Sequence, residues 1–416
     1  MTLVTPVGDT TETRAAALKD TAAQVVRNRD KELLELSHRI HDTPEIAFQE
    51  HRAAGLVADA LRKAGFDTTV GVYGLDTAVE AVYGTGDLTV AICAEYDALP
   101  EVGHACGHNM IAAAGVGAAL ALAAVAVDAG LRIKLLGTPA EEHGGGKIPM
   151  LEAGAWEDAA LSLMVHGASG TDMPCASLWM QAVDRFEVTF TGRAAHAAGA
   201  PEHGINAGAA ATIALNAIGL VRQQFRAKTR VNAFVSHGGD VTNIIPARTV
   251  VQVEVRAPEI GEWHEVKERV LACFEAGALA TGCEWTYAAT EPPYAPMVQN
   301  PVLAAIWDEN LRATGRELTS ASLGGGSSDM GNVSQVVPSI HPAIAVLGST
   351  AIPHNADFAD AAASPAADAA ILDGATALAW TVLDVALDAE VRGELLRLQA
   401  ERPEGFTRRA GWVVSA

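Results

Sequence analysis

Positive charge is scarce in this chain: 29 lysines and arginines face 50 aspartates and glutamates, a formal net charge of -21 over 416 residues. A surface of that sign repels phosphate backbones and anionic lipid, which argues against nucleic acid or a membrane surface as partner. Cysteine is also scarce and odd in number. Cys93, Cys106, Cys175, Cys273 and Cys283 are too thinly spread for a disulfide-stapled scaffold, so reduced thiols and a cytoplasmic setting are expected. Aromatic residues make up only 5%, and the mean hydropathy of +0.17 rests largely on Ala and Val. The first 29 residues lack the apolar core of a secretory leader. Neither an internal repeat nor a long linker is visible. One apolar run, Met110 to Val127, approaches membrane-spanning length, but its Ala and Gly content reads as a buried helix packed against a sheet.

The remaining composition, 49% apolar and 19% charged, is that of a globular protein. Single cores stop growing near roughly 250 to 300 residues, so the length implies two domains. Apolar spacing predicts two amphipathic helices, over Ala15 to His41 and Ala47 to Ala64. Strands are expected at Phe66 to Val72, Thr77 to Tyr83, Leu88 to Glu95, Leu131 to Gly137 and Ala160 to Val165, alternating with helices. That order describes an α/β fold, with a mixed sheet flanked by helices. Near residue 178 the pattern changes to four strands and two helices, ending at the Pro-rich stretch Glu291 to Pro296. We read residues 178–292 as a smaller α+β module inserted into a discontinuous domain of residues 1–177 and 293–416. After the module come a helix from Pro301 to Thr314, a Gly-rich loop from Gly324 to Asp329, a strand from Ala343 to Leu347, and a long helix from Ala366 to Ala389.

Chemistry concentrates at Glu95-Tyr96-Asp97-Ala98-Leu99-Pro100 and Gly103-His104-Ala105-Cys106-Gly107-His108-Asn109. A thiol and an imidazole one residue apart, next to two carboxylates, suit a zinc-like divalent ion. In sheets of this kind, sites form at the carboxyl ends of strands, where Glu95, Asp97, Glu141, Glu142 and His166 are all expected. The adjacent Glu141 and Glu142 point different ways, so one can ligate while the other handles a proton, and His166 and His354 can supply further nitrogens. The other histidines, His104 and His341 among them, read as ordinary core or surface residues.

With Gly-Thr-Pro-Ala-Glu-Glu, Gly-Gly-Asp-Val-Thr-Asn-Ile-Ile-Pro and Ser-Asp-Met-Gly-Asn-Val-Ser added, these motifs resemble the two-metal superfamily of carboxypeptidases, aminoacylases and acetylornithine deacetylase. Within it the likeness is to the branch of aminobenzoyl-glutamate hydrolase, auxin-conjugate hydrolases and dipeptidases that cut before Arg or Lys. The resemblance implies a phosphorylase/hydrolase-like catalytic domain with a ferredoxin-like lid that dimerises. It further implies two divalent ions, zinc first and manganese or cobalt as alternatives, with Cys106 bridging, Glu142 and His354 on one ion, and His108 and His166 on the other. Glu141 would be the general base and acid, Asp97 a carboxylate steadying a ligand, and His196 a carbonyl-polarising residue reaching a partner subunit's site in a homodimer. Asn243, Arg256, Gly325 and Gly326 would contact a small-molecule substrate. The implied activity is hydrolysis of an amide bond in a dipeptide or N-acyl amino acid by metal-activated water. The alternatives are an aminobenzoyl-glutamate-type amidohydrolase or a non-catalytic peptide-binding relative. Two departures from the wider superfamily are Glu95, where a His is common, and Cys106, where an Asp is common.

Overall fold

In a computed structural model, residues 9–408 are described, and they divide into two compact units. The first holds the described chain through Trp179, Met297–Gly324 and the described residues from Asn332 on. The second is Met180–Pro296 with Gly325–Gly331.

The first unit opens with α1 (Asp9–Asn28), α2 (Asp30–His41) and α3 (His51–Lys63). The single helix expected over Ala15 to His41 is therefore two. Arg29 leaves the helical region at φ -110 and ψ 13, and Asp30 and Glu32 favour a fresh N-terminus because carboxylates complement the positive end of the helix dipole. Then come β1 (Asp67–Val70), β2 (Val79–Tyr83), β3 (Leu88–Glu95), α4 (His108–Ala123), β4 (Leu131–Thr138), α5 (Lys147–Glu152), β5 (Leu161–Leu163) and β6 (His166–Gly170). Every residue of β3 is buried, as a continuous apolar run in the middle of a sheet requires. α4 is buried along nearly its whole length, and its glycines let it approach its neighbours closely. A Cβ on Gly117 would lie 2.8 Å from the Cβ of Ala375.

The second unit contains β7 (Ala182–Thr191), α6 (Ala207–Val221), β8 (Arg230–His237), β9 (Arg248–Ala257), α7 (Ile260–Thr281) and β10 (Glu284–Ala289). Its sheet runs β10-β7-β9-β8, antiparallel throughout. Phe186, Val188 and Phe190 alternate inward to meet Ala210, Ala214, Val270 and Phe274 of the two helices in one apolar core. β8 is an edge strand with Phe234 exposed at 63%.

The chain then completes the first unit with α8 (Pro301–Ala313), β11 (Ser339–Ile340), β12 (Ala343–Leu347), α9 (Pro365–Leu387) and α10 (Ala389–Glu401). The main sheet is ordered β1-β2-β4-β3-β5-β11. β1/β2 and β2/β4 are antiparallel and the other pairs parallel, so the sheet is mixed as expected. The register sets Glu95 at the end of β3 opposite Thr138 at the end of β4, which brings both carboxyl ends to one place.

Three expectations need correction. His166 does not end the strand before it: that strand stops at Leu163, and His166 starts β6, which pairs with β12 in a separate parallel ribbon after its N–H reaches Pro342 O at 2.9 Å. Leu323–Gly326, expected as loop, is a short strand. The long C-terminal helix ends at Leu387, where Asp388 caps a further helix, α10, through its bonds to the N–H groups of Glu390 and Val391. Among the described helices, α9 is long and apolar enough to cross a membrane, and 67% of that stretch is buried inside the protein.

Candidate metal centre

The end of β3 and the start of α4 form one device. Gly107, left-handed at φ +81, turns the chain so that His108 becomes the first residue of α4, fully buried beneath the strand end. Its Nδ1 lies 2.9 Å from Asp97 Oδ1, and Asp97 Oδ2 accepts the N–H of Glu142 at 3.0 Å. A carboxylate on Nδ1 selects the tautomer that leaves Nε2 unprotonated for a cation. That Nε2 has no hydrogen-bond partner, and it lies 3.6 Å from Glu95 Oε2, 3.8 Å from Glu142 Oε1 and 3.9 Å from Glu141 Oε2. Burial opposes charge on Asp97, yet the His108 imidazole and the Glu142 N–H hold its carboxyl below the usual range.

The second imidazole is prepared in the same way. His166 Nδ1 bonds to Gly167 O at 2.7 Å, which turns Nε2 toward Cys106 Sγ at 3.5 Å. Burial, with His108 nearby, holds His166 below its ordinary pKa and favours the neutral, ligating form. His354 is kept left-handed at φ +69 while its N–H donates to Ala105 O at 2.8 Å, and its Nε2 stands 3.6 Å from the buried, unpartnered Glu142 Oε1. Burial and Glu142 push the Cys106 thiol well above its ordinary pKa, so forming the thiolate is coupled to binding a cation.

These side chains make two three-donor groups, Cys106/His108/His166 and Cys106/Glu142/His354, in each of which the ligand atoms lie within 4.8 Å of one another. Cys106 belongs to both, as a bridging ligand must. Sulfur, nitrogen and oxygen donors together with orphaned buried atoms on His108 and Glu142 fit a pair of divalent ions. Glu141 joins Glu95 and His108 in a third such group at the edge of the first two.

Two residues at this centre escaped the sequence reading. Lys147, at the start of α5, is fully buried and donates to Glu95 Oε1 at 2.5 Å; burial opposes the Glu95 charge, but Lys147 holds its carboxyl below the usual range. His341 is buried and stacks on His166 with ring centroids 5.5 Å apart, and burial with that neighbour drives its pKa down to about 3. Neither belongs to a spacing pattern that would announce it.

The remaining candidates lie in the second unit and form two clusters. His196 sits in a loop bridged to Ile244, and the N–H of Ala197 donates to Asn243 O at 2.9 Å, so His196 and Asn243 are neighbours. His196 Nδ1 accepts from the N–H groups of Ala198 and Gly199 at 3.2 and 2.9 Å, which leaves Nε2 as the donor end. Arg256 is not a free cation: Glu254 takes its Nε at 2.7 Å and one terminal nitrogen at 3.1 Å, while the other reaches Ser327 Oγ at 3.2 Å and Gly325 O at 3.4 Å. Gly325 is left-handed at φ +102, and Gly326 has open space where a side chain would begin.

Comparison with known proteins adds three findings. The family profile described as a peptidase dimerisation domain matches residues 182–281. The chain is 38% identical to the Xaa-Arg dipeptidase of Mus musculus over 388 residues, covering 88% of this chain and 89% of the relative, and 36% identical to that of Homo sapiens over 398 residues, covering 90% of each. A crystal structure of a dinuclear metal-binding peptidase of the M20 family from Bacillus subtilis superposes with a TM-score of 0.67 at 21% identity, covering 86% of this chain and 99% of that one.

Proposed function

The chain belongs to the M20 family of peptidases, and on that premise we propose that it is a two-metal dipeptidase that cleaves the amide bond before a C-terminal Arg or Lys. The observation that carries the reading is the pair of three-donor groups sharing Cys106. Zinc suits the mixed sulfur, nitrogen and oxygen donors best, with manganese and cobalt as alternatives. Divalent ions bound there would supply Lewis-acid chemistry, lowering the pKa of water to about 7 and polarising the amide carbonyl.

The chain's own residues do the rest. Glu141, whose carboxylate edges the donor groups, accepts the proton of the attacking water and passes it to the leaving nitrogen. Asp97 keeps His108 in its ligating tautomer. We assign His196 of the partner subunit as the N–H donor to the developing oxyanion, and Asn243 with the Gly325–Gly326 backbone as substrate contacts. Arg256 stands beside that loop. A homodimer through the second unit is supported by edge strand β8 and its exposed Phe234 and Val235. Five cysteines, too few and too thinly spread for a disulfide scaffold, support our assignment of a cytoplasmic setting.

Purified Glu141→Gln protein is expected to keep its metal content by elemental analysis while losing turnover by at least about 1000-fold. A panel of dipeptides and N-acyl amino acids, assayed with zinc, manganese and cobalt, identifies the substrate. Turnover confined to N-acyl amino acids or aminobenzoyl-glutamate would replace the dipeptidase assignment with that of an amidohydrolase.

A further inference from the structure

Outside the ligand set, one fully buried carboxylate is tied to the turn that carries Glu141. Glu50 Oε1 accepts the N–H of Ala140 at 2.9 Å and of Phe48 at 3.0 Å, and Oε2 accepts the Thr77 hydroxyl at 2.9 Å. Ala140 and Phe48 both have φ of +61, a left-handed conformation that residues with a Cβ rarely adopt. Ala140 immediately precedes Glu141 and Glu142. The next amide but one, that of Glu142, goes to Asp97, so two buried carboxylates hold alternate N–H groups of a single turn.

The surroundings reinforce the link. The Phe48 ring occupies the space beside Gly144, where an added Cβ would come within 2.3 Å of it. The Tyr96 hydroxyl, between Glu95 and Asp97, donates to Thr77 O at 2.5 Å, so Thr77 is anchored independently and meets only the Glu50 oxygen that does not bond the turn. Glu50 stands at the N-cap position of α3, but its side chain makes no cap bond there. Its carboxylate is therefore spent on the turn rather than on its own helix.

We propose that Glu50 is a positioning residue: its carboxylate holds Ala140 left-handed and so aims Glu141 and Glu142 into the metal centre. The proposal rests on the reading of Glu141 as the acid–base group. Burial pushes the Glu50 carboxyl up to about 7; above that pH it is an ionised acceptor, which holds an N–H about twice as strongly as a neutral one, so replacing it with an amide should loosen the turn without emptying the site.

The test uses the metal-loaded full chain and the dipeptide that wild type turns over. Glu50→Gln, Glu50→Ala and Thr77→Val are compared in kcat, KM, Tm and metal content. Thr77→Val removes a partner of the same carboxylate without touching the turn. Glu50→Gln is expected to lower kcat by about 10-fold and Glu50→Ala by about 100-fold, with KM within about twofold and metal retained. Thr77→Val is expected to lower Tm while kcat stays within about twofold. Ala140→Gly, which adopts φ > 0 freely, should recover part of the kcat lost in Glu50→Gln. If Glu50→Ala does not fold, Glu50→Gln carries the comparison, because its amide oxygen can still accept both N–H groups. Equal kcat losses in Glu50→Gln and Thr77→Val, or a change confined to KM, would overturn the proposal. Turnover surviving in Glu141→Gln would instead overturn the acid–base assignment, whatever the Glu50 series does.

Discussion

His108 has a use for each of its ring nitrogens, Nδ1 for Asp97 and Nε2 for the donor groups, and this division shows how single residues are arranged throughout the centre. The buried Glu95–Lys147 pair lies beside its Nε2. Removing one partner of such a pair strands a charge in the interior, which costs several kcal/mol, whereas replacing both with apolar groups can be nearly neutral. Lys147→Met is therefore expected to destabilise the protein by about 3–5 kcal/mol in chemical denaturation, and Glu95→Leu/Lys147→Met to recover most of that loss. Equal stability of the single and double variants would show that the pair is uncoupled. The motif residues Cys106, His108, Glu142, His166 and His354 could be read from the sequence because metal chemistry demands particular donor types. Lys147, His341 and Glu50 could not, because a lysine, a histidine or a glutamate acquires its role here only from what it is buried against.

At the scale of elements, β9 carries a charge cluster that braces the second unit. Glu254 accepts from both Arg256 and Arg185. Burial opposes the Glu254 charge, but the two guanidinium groups outweigh it and hold the carboxyl down to about 2, against the usual 4.5. Between those values the unfolded chain binds the extra proton, so stability rises with pH across the interval. The contribution is complete above about pH 4.5 and is lost as pH falls through about 2. After allowance for solvent screening it amounts to about 1–2 kcal/mol. In Glu254→Gln protein the acid limb of the Tm-versus-pH curve should be shallower than in wild type, and an unchanged limb would remove Glu254 from the account. The strands and helices of this unit begin and end within four residues of where the sequence pattern puts them, since half-buried antiparallel strands alternate legibly. The break at Arg29, the early end of β5 and the start of α10 were less legible, because element boundaries depend on local hydrogen bonds that periodicity does not encode.

For the whole molecule, the proposed homodimer makes a prediction that no single chain can satisfy. If His196 serves the partner subunit's site, neither Glu141→Gln nor His196→Ala homodimers should turn over substrate. Mixed and re-associated, they should regain about a quarter of wild-type activity, since random pairing makes half the dimers mixed and one site in each then has both residues. No recovery on mixing, with subunit exchange shown by sizing tagged chains, would place His196 in its own subunit's site or outside the reaction.

The sequence by itself determined the fold class and the inserted module through periodicity, and the family through the resemblance of its motifs, whose residue types few chemistries share. Tertiary structure alone decided which nitrogen of each imidazole faces the donors and that Lys147 is buried against Glu95. It also showed that Arg256 is already engaged by Glu254, and that Glu50, 90 residues away in the chain, holds the turn before Glu141. The physical reason is common to all four. Hydrogen-bond direction and desolvation depend on which groups meet in the folded chain, and spacing along the sequence carries no record of those meetings.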